Sequence, residues 1–348
     1  MKRILLDSER CAHDQVGGKF ARQHDMRAQD LPIPRFYCLT TAYYEAVFEP
    51  LRDEVRRVCA AIDWTDAQSV RAASGEIATR FRAIELSDAQ KGEVLAPFDP
   101  LFSPGTLVSV RGSMVGFRAE ESEDSAGHAF AGMSESFLFV PREKILERLL
   151  EVWASGFSQE ALLYRHANKM DLLGFAVAVG VQEMVAAERS FVLFTCDPQT
   201  ALRESVVVAA YGLGEGVVQE RVACDHFFVR SGVRGIERKV VSKPDRLVFD
   251  REAGHGLVSE SVPEELRDLP CLSDEDLERL DALGRRVEGM FGAPQDIEGA
   301  LVGDKIYLLQ ARPIQIDYSR QRVFSNANVT ESFPGVSSPL TFSFSLYF

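Results

Sequence analysis

Near one end of this 348-residue chain, two short segments alternate polar and apolar residues about a turn signal. They are Gln295-Asp296-Ile297-Glu298 and Leu308-Leu309-Gln310-Ala311-Arg312-Pro313, with Gly303-Asp304 between them. Period-two alternation suits a pleated strand and no helix, so the pair reads as an antiparallel hairpin over 295–312. Asp296 and Glu298 then share a face of the first strand, and Gln310 and Arg312 a face of the second. A hard cation such as Mg²⁺ takes oxygen ligands, commonly one or two carboxylates, with water and substrate phosphate completing its shell. Glu298 and the Gln310 amide oxygen fit that need, and Arg312 would aim at the phosphate. Directly opposed residues share a face, so Glu298 and Gln310 meet only across an odd-numbered loop. A two-residue Gly303-Asp304 turn would separate them. The reading therefore predicts a three-residue loop with Gly or Asp in the left-handed position. Taken alone, the pattern fits a solvated hairpin edge equally well.

The remaining β signals precede this hairpin. Residues 175–185, 190–195 and 205–211 are rich in β-branched and aromatic residues and bounded by turn formers, which marks a core sheet. Further strands are expected at 106–111, 137–140, 226–230 and 236–241, with an exposed acidic stretch over 250–272. Helical spacing dominates the first third, with Val47, Leu51, Val55, Val58 and Ile62 after a Thr40-Thr41 cap. Val70, Ala73, Ile77, Phe81 and Ile84 continue it between Asp66 and about Ala83. Pro141 reads as the first residue of another helix, and Ser273 with Asp276 as a cap before Leu277, Leu280, Val287 and Met290. Helices first, then sheet with interspersed helices, gives an α+β fold with mixed or antiparallel sheets in two lobes.

Composition narrows the function. The 52 acidic residues outnumber the 39 basic ones for a net charge of −13. That opposes wholesale binding to nucleic acid or to an anionic membrane, and neither is expected as a partner. No apolar run approaches the about 20 residues of a membrane helix, and the Met1–Asp7 start is too short for a secretory signal. Six cysteines contain no C-x-x-C pair and read as reduced thiols, so the cytoplasm is the expected location. The six histidines show no metal spacing. Val16-Gly17-Gly18-Lys19 could bring backbone amides and a point charge to an anion, but by itself it is an ordinary turn and not a P-loop. Val110-Arg111-Gly112-Ser113 suits a polyphosphate or, equally, a surface ion pair. Tyr211-Gly212-Leu213-Gly214-Glu215 lacks the G-x-G-x-x-G spacing, so no dinucleotide fold follows.

Together and in this order, the motifs resemble the N-terminal ATP-binding domain shared by phosphoenolpyruvate synthase, pyruvate phosphate dikinase and the rifampin phosphotransferases. The matching text runs over roughly residues 12–316. It comprises Val16-Gly17-Gly18-Lys19, Leu31-Pro32-Ile33-Pro34 with Phe36 and Thr40-Thr41-Ala42-Tyr43, and Val110-Arg111-Gly112-Ser113 with Glu123-Asp124-Ser125 and Phe130-Ala131-Gly132. It continues through Val152-Trp153-Ala154-Ser155-Gly156-Phe157, Val181-Gln182-Glu183-Met184-Val185, Phe194-Thr195-Cys196-Asp197-Pro198 and Tyr211-Gly212-Leu213-Gly214-Glu215, and ends in the hairpin.

The resemblance implies an ATP-grasp fold, in which two lobes clamp ATP and Mg²⁺. It implies a first lobe over about 1–195, a second over 196–318 and a linker into a further domain over 319–348. Lys19 and Arg111 would contact phosphates, Gly132 and Ser136 would lie in a phosphate-covering loop, and Gln182 would meet the nucleotide. Asp296, Glu298 and Gln310 would form the metal set, with Arg312 on the transferred phosphate. Catalysis would be positioning and charge neutralisation, with Lys19, Arg111 and Arg312 as its principal groups.

Three departures stand out: a longer loop between Arg111 and Gly132, Arg35 in place of a small residue, and Ser190-Phe191-Val192 in place of Ser-Gly-Val. These enzymes pass phosphate to a histidine in a Thr-x-Gly-Gly-x-x-x-His-Ala motif on a swivelling domain, and no histidine here has that context. The text from Asn326 to Thr341 resembles the opening of the next domain, so a fragment or one subunit of a split enzyme is expected. The expected function is phosphorylation of a carrier histidine, in the manner of phosphoenolpyruvate synthase. The alternatives are an antibiotic phosphotransferase, the nucleotide half of a condensing enzyme, and a non-catalytic binding module.

Overall fold

A computed structural model of the chain describes residues 2–116, 135–200, 202–230, 235–254 and 256–314. The description below concerns these residues, all within one compact unit that ends at Ile314. Gly132 and the rest of the predicted covering loop from 117 to 134, and everything after Ile314, lie outside them.

Strands β1 (Ile4–Leu6), β2 (Phe36–Leu39), β3 (Val108–Gly116), β4 (Ser136–Val140) and β5 (Phe175–Glu183) form one sheet in the order β1-β2-β5-β3-β4. Strands β6 (Arg189–Phe194), β7 (Ser205–Tyr211), β8 (Asp225–Val229) and β9 (Ile236–Lys239) belong to a second sheet. A separate ribbon, β10 (Asp245–Phe249) and β11 (Leu257–Ser261), follows; β12 (Gln295–Val302) and β13 (Lys305–Pro313) then complete the second sheet as β13-β12-β6-β7-β8-β9. Every pairing between these strands is antiparallel, so of the mixed or antiparallel sheets expected the structure shows the antiparallel kind. The acidic stretch after 250 is mostly exposed, as expected, and β11 lies within it. The sheets change over between Glu183 and Arg189, so pairing assigns β6 to the second sheet although it precedes residue 195.

The helices are α1 (His13–Ala28), α2 (Thr41–Phe48), α3 (Arg52–Ala60), α4 (Ala67–Arg82), α5 (Asp88–Leu95), α6 (Phe98–Leu101), α7 (Ile145–Ser155), α8 (Gln159–Ala167), α9 (Gly214–Val218) and α10 (Asp274–Phe291). In α4 the stripe Val70, Ala73, Ile77 and Phe81 is buried, and Asp66 caps the start by accepting from the Gln68 amide. Each large apolar side chain so buried contributes about 1.5–3 kcal/mol. In α10 the Ser273 and Asp276 side chains cap each other's backbone amides, and Gly292 at φ 70° ends the helix. Pro141 does not begin an α-helix directly; a 3₁₀ turn, Arg142–Lys144, intervenes before α7.

Two cores result. Val108, Val110, Met114, Val177, Val179 and Val181 face α2 and α7 from the first sheet, and α4 packs on α7 beyond. On its other face, Phe36 and Cys38 join Val16, Phe20 and Met26 of α1, Leu277 and Leu280 of α10, and Phe191, Leu193, Val207 and Ile297 of the second sheet. Period two in β3 and β5 therefore turns Ser109, Arg111, Ser113, Gly180 and Gln182 toward α1 and the second sheet. Gly180 is required there, because a Cβ would stand 1.9 Å from the Phe20 ring.

Candidate functional site

The hairpin overturns the loop expectation and still brings the expected residues together. Val302 pairs with Lys305, so Gly303-Asp304 is the two-residue turn, with Gly303 at φ 54°. Leu301 then opposes Ile306, Ala300 opposes Tyr307 and Gly299 opposes Leu308. At this point the register shifts: Glu298 opposes Gln310, and Leu309 has no opposite number. That extra residue is a β-bulge, and it does what an odd loop would have done. Its effect is visible in the buried positions of β13, which switch from Ile306 and Leu308 to Ala311. The signal for it was Gly299. A Cβ there would lie 2.6 Å from the Tyr307 carbonyl oxygen and 2.2 Å from the Phe191 ring, and an isolated glycine within a strand pattern marks such a close approach.

Beyond the bulge, Asp296, Glu298, Gln310 and Arg312 share the face turned away from the core. Arg312 Nε donates to Asp296 Oδ2 at 2.7 Å. Asp296 Oδ1 is buried and has no hydrogen-bond partner among the described residues, an arrangement costly unless a cation or donor meets it. The Gln310 amide oxygen accepts from an Arg111 guanidinium nitrogen at 2.7 Å, which joins the two sheets at this point.

Arg111 comes from the first sheet, where it pairs with Gly180 on β5 and Ser136 on β4. Lys19 reaches the same place from α1. The glycine pair is not a free turn: Gly17, at φ 71° and ψ 168°, breaks α1, and an added Cβ would meet Ser113 Oγ at 2.2 Å. The helix restarts beyond this break, and the Lys19 ammonium donates to the Gly112 carbonyl at 2.9 Å, next to Arg111.

A cleft between the sheets is lined by Ser109, Arg111, Ser136 and Gln182 on one side and by Glu298, Gly299, Ala300 and Leu309 on the other. Leu138, Met184, Val185, Leu213 and Val218 add apolar surface. The cleft wall thus includes Arg111, Ser136, Gln182 and Glu298, while Gln310 adjoins it through Arg111 and Lys19 through Gly112. Asp296 and Arg312 line the adjoining hollow with Glu298. Gly132 lies outside the described residues.

One acidic group of the cleft was not marked in the sequence as a site residue. Glu215, in the first turn of α9, lines it, and burial pushes its carboxyl above the usual carboxylate range. Arg111 opposes that rise and Glu298 adds to it. The Tyr-Gly-Leu-Gly-Glu text was available as a signal, but only as a motif without a role.

Of the departures, Arg35 turns from the cleft to pair with Asp7 at 2.7 Å, and Phe191 fills the space over Gly299. Two carboxylates, an amide oxygen, two guanidinium groups and an ammonium can together hold a hard cation and a polyphosphate. Among the described residues no cluster of three or more His, Cys, Asp or Glu has metal-binding geometry, so any ion here would draw ligands from the bound molecule or water.

Comparison with known proteins identifies a family. The family model described as the pyruvate phosphate dikinase AMP/ATP-binding domain matches residues 13–331. A probable phosphoenolpyruvate synthase of Methanothermobacter thermautotrophicus is 30% identical over 86% of this chain and 44% of its own length. A rifampicin phosphotransferase of Streptomyces sviceus is 32% identical over 90% of this chain and 36% of its own. The phosphoenolpyruvate synthase of Pyrococcus furiosus is 27% identical over 86% and 42% respectively. The chain therefore spans less than half the length of these relatives.

Proposed function

The chain belongs to the pyruvate phosphate dikinase AMP/ATP-binding domain family, and from that premise we propose that it binds ATP with Mg²⁺ in the cleft between its two sheets. In this reading the fold is of the ATP-grasp type, and the domain transfers a phosphoryl group from ATP to a histidine on a carrier domain. Lys19 and Arg111 bind the phosphates, Ser136 approaches them from the first position of β4 rather than from a loop, Gly132 is assigned with it to phosphate contact, and Gln182 meets the nucleoside. Asp296, Glu298 and Gln310 are the residues that would hold Mg²⁺, which when bound neutralises phosphate charge. Arg312 orients the phosphoryl group that leaves.

The residues present suit that ion. Asp296 Oδ1 is a buried acceptor without a partner among the described residues, and Glu298 lies on the same face. The observation that carries the proposal is the bond from Arg111 to Gln310. It sets a cationic group of one sheet against the oxygen-rich hairpin of the other, where a magnesium–phosphate pair needs both. The chain's part is positioning and electrostatics: it fixes the phosphates in line with the acceptor and withholds water.

Relatives named phosphoenolpyruvate synthase and rifampicin phosphotransferase match about equally well. The first histidine acceptor is common to our reading of both, and we favour a phosphoenolpyruvate synthase-type final acceptor. Thermal unfolding in the presence of ATP and Mg²⁺ tests the binding step. At ligand a hundredfold above its Kd the expected stabilisation is about 2.7 kcal/mol. Lys19→Ala and Glu298→Ala each lose it. Equal stabilisation of both variants, or none of the wild type, would instead favour a non-catalytic module.

A further inference from the structure

We infer that Gln23, a residue outside every motif discussed above, is the positioning residue that holds the β13 bulge and thereby keeps Glu298 opposite Gln310. Its consequence for Mg²⁺ rests on the proposed function; its consequence for the hairpin does not.

Gln23 is fully buried on α1, one helical turn after Lys19. Both ends of its amide are engaged. Its Oε1 accepts from Gln182 Nε2 at 2.7 Å, and its Nε2 donates to the Leu309 carbonyl at 2.7 Å. Leu309 is the residue left without an opposite number in the ladder, so its carbonyl needs a partner from elsewhere. Arg111 also reaches it, at 3.4 Å, a longer and weaker contact. Gln23 therefore supplies the short bond on the residue whose presence sets the register beyond it.

Without Gln23 the bulge carbonyl would keep only the long Arg111 contact, and the buried Gln182 amide nitrogen would lose its partner. Sliding the extra residue along β13 would then relieve the hairpin, at the cost of turning residue 310 or 312 to the other face. The same relay ties the cleft's Gln182 to the metal-side hairpin through one side chain, so seating of the nucleoside and of the ion is coupled there.

The test compares the full chain with Gln23→Met, which keeps the shape and removes both bonds, and with Gln23→Glu, whose ionised carboxylate can still accept from Gln182 but cannot donate to Leu309. Two readouts are needed. Hydrogen exchange of peptides covering 295–314, without ligand, is expected to rise at least tenfold at the bulge in both variants, with α4 and α7 peptides unchanged. Calorimetric titration with a non-hydrolysable ATP analogue is expected to show that added Mg²⁺ raises affinity in the wild type, and that this gain falls at least tenfold in the variants. Affinity without Mg²⁺ stays within threefold. Unchanged exchange at 295–314, or an unchanged Mg²⁺ gain, overturns the inference. So does a uniform rise in exchange over the whole chain, which would mark Gln23 as a general packing residue. A wild type with no Mg²⁺-dependent binding defeats the proposed function, and the exchange result then decides the role of Gln23 alone.

Discussion

At the scale of single residues, buried charge at the cleft gives the sharpest expectation. Glu215 carries a carboxyl raised above its ordinary value of 4.5, chiefly by burial. An acid raised on folding binds its proton more tightly in the native state, so stability is lost as pH climbs from that ordinary value through the raised one. Glu215→Gln removes the titrating group with little change of shape. Urea unfolding followed from pH 4 to pH 8 should show a shallower decline for the variant, and greater unliganded stability than wild type at pH 7. Parallel curves would mean that Glu215 ionises normally. Residue type and strand period placed Glu298, Gln310 and Arg312 on shared strand faces, whereas Lys19 and Arg111 stood only in weak anion motifs to which the family resemblance gave a role. Gln23 and Glu215 were not legible in the sequence. Gln23 shares a helix face with Lys19 at i, i+4, but the paired glycines read as a turn, and without a helix there was no face on which to place it. Glu215 takes its character from burial, which no local pattern reports.

Among the elements, the hairpin shows how a correct contact can follow from a wrong loop. Alternation is a local property, and it fixed which residues could share a face within each strand. The count across the turn depends on whether a bulge intervenes, which is decided by neighbours remote in sequence: Phe191 from β6 over Gly299, and Gln23 from α1 on Leu309. Helices α4 and α10 were readable because their caps and stripes lie within one segment. Strands β1 and β2 were not, since β1 is only three residues long and β2 is buried on both faces, which leaves no alternation to read. Gly299→Ala tests the hairpin as a unit. The new methyl meets both a ring and a backbone carbonyl, and the carbonyl cannot swing aside. A loss of about 1–3 kcal/mol in denaturant unfolding is expected from overpacking of this kind. A neutral substitution would show that the bulge can relax around it.

For the molecule as a whole, the question is whether the two sheets act as one clamp. Among the described residues no helix is long and apolar enough to cross a membrane, and the buried surface is spent on two cores that share the first sheet. The second core joins that sheet to α1, α10 and the second sheet, so a ligand bridging Arg111 and Glu298 would load the entire unit. Residues that act as a unit on one ligand are non-additive on mutation. We therefore expect Arg111→Ala and Glu298→Ala each to remove most of the stabilisation by ATP and Mg²⁺, and the double variant to lose little beyond the worse single. The cycle is read as the ligand-induced rise in unfolding temperature, each variant being referred to its own unliganded value, because loss of the Arg111–Gln310 bond also loosens the free protein. Chelating the metal in the wild type should reproduce the Glu298→Ala behaviour. Strict additivity of the two losses would instead place the two residues on separate ligands, and the clamp would have to be abandoned in favour of two independent sites.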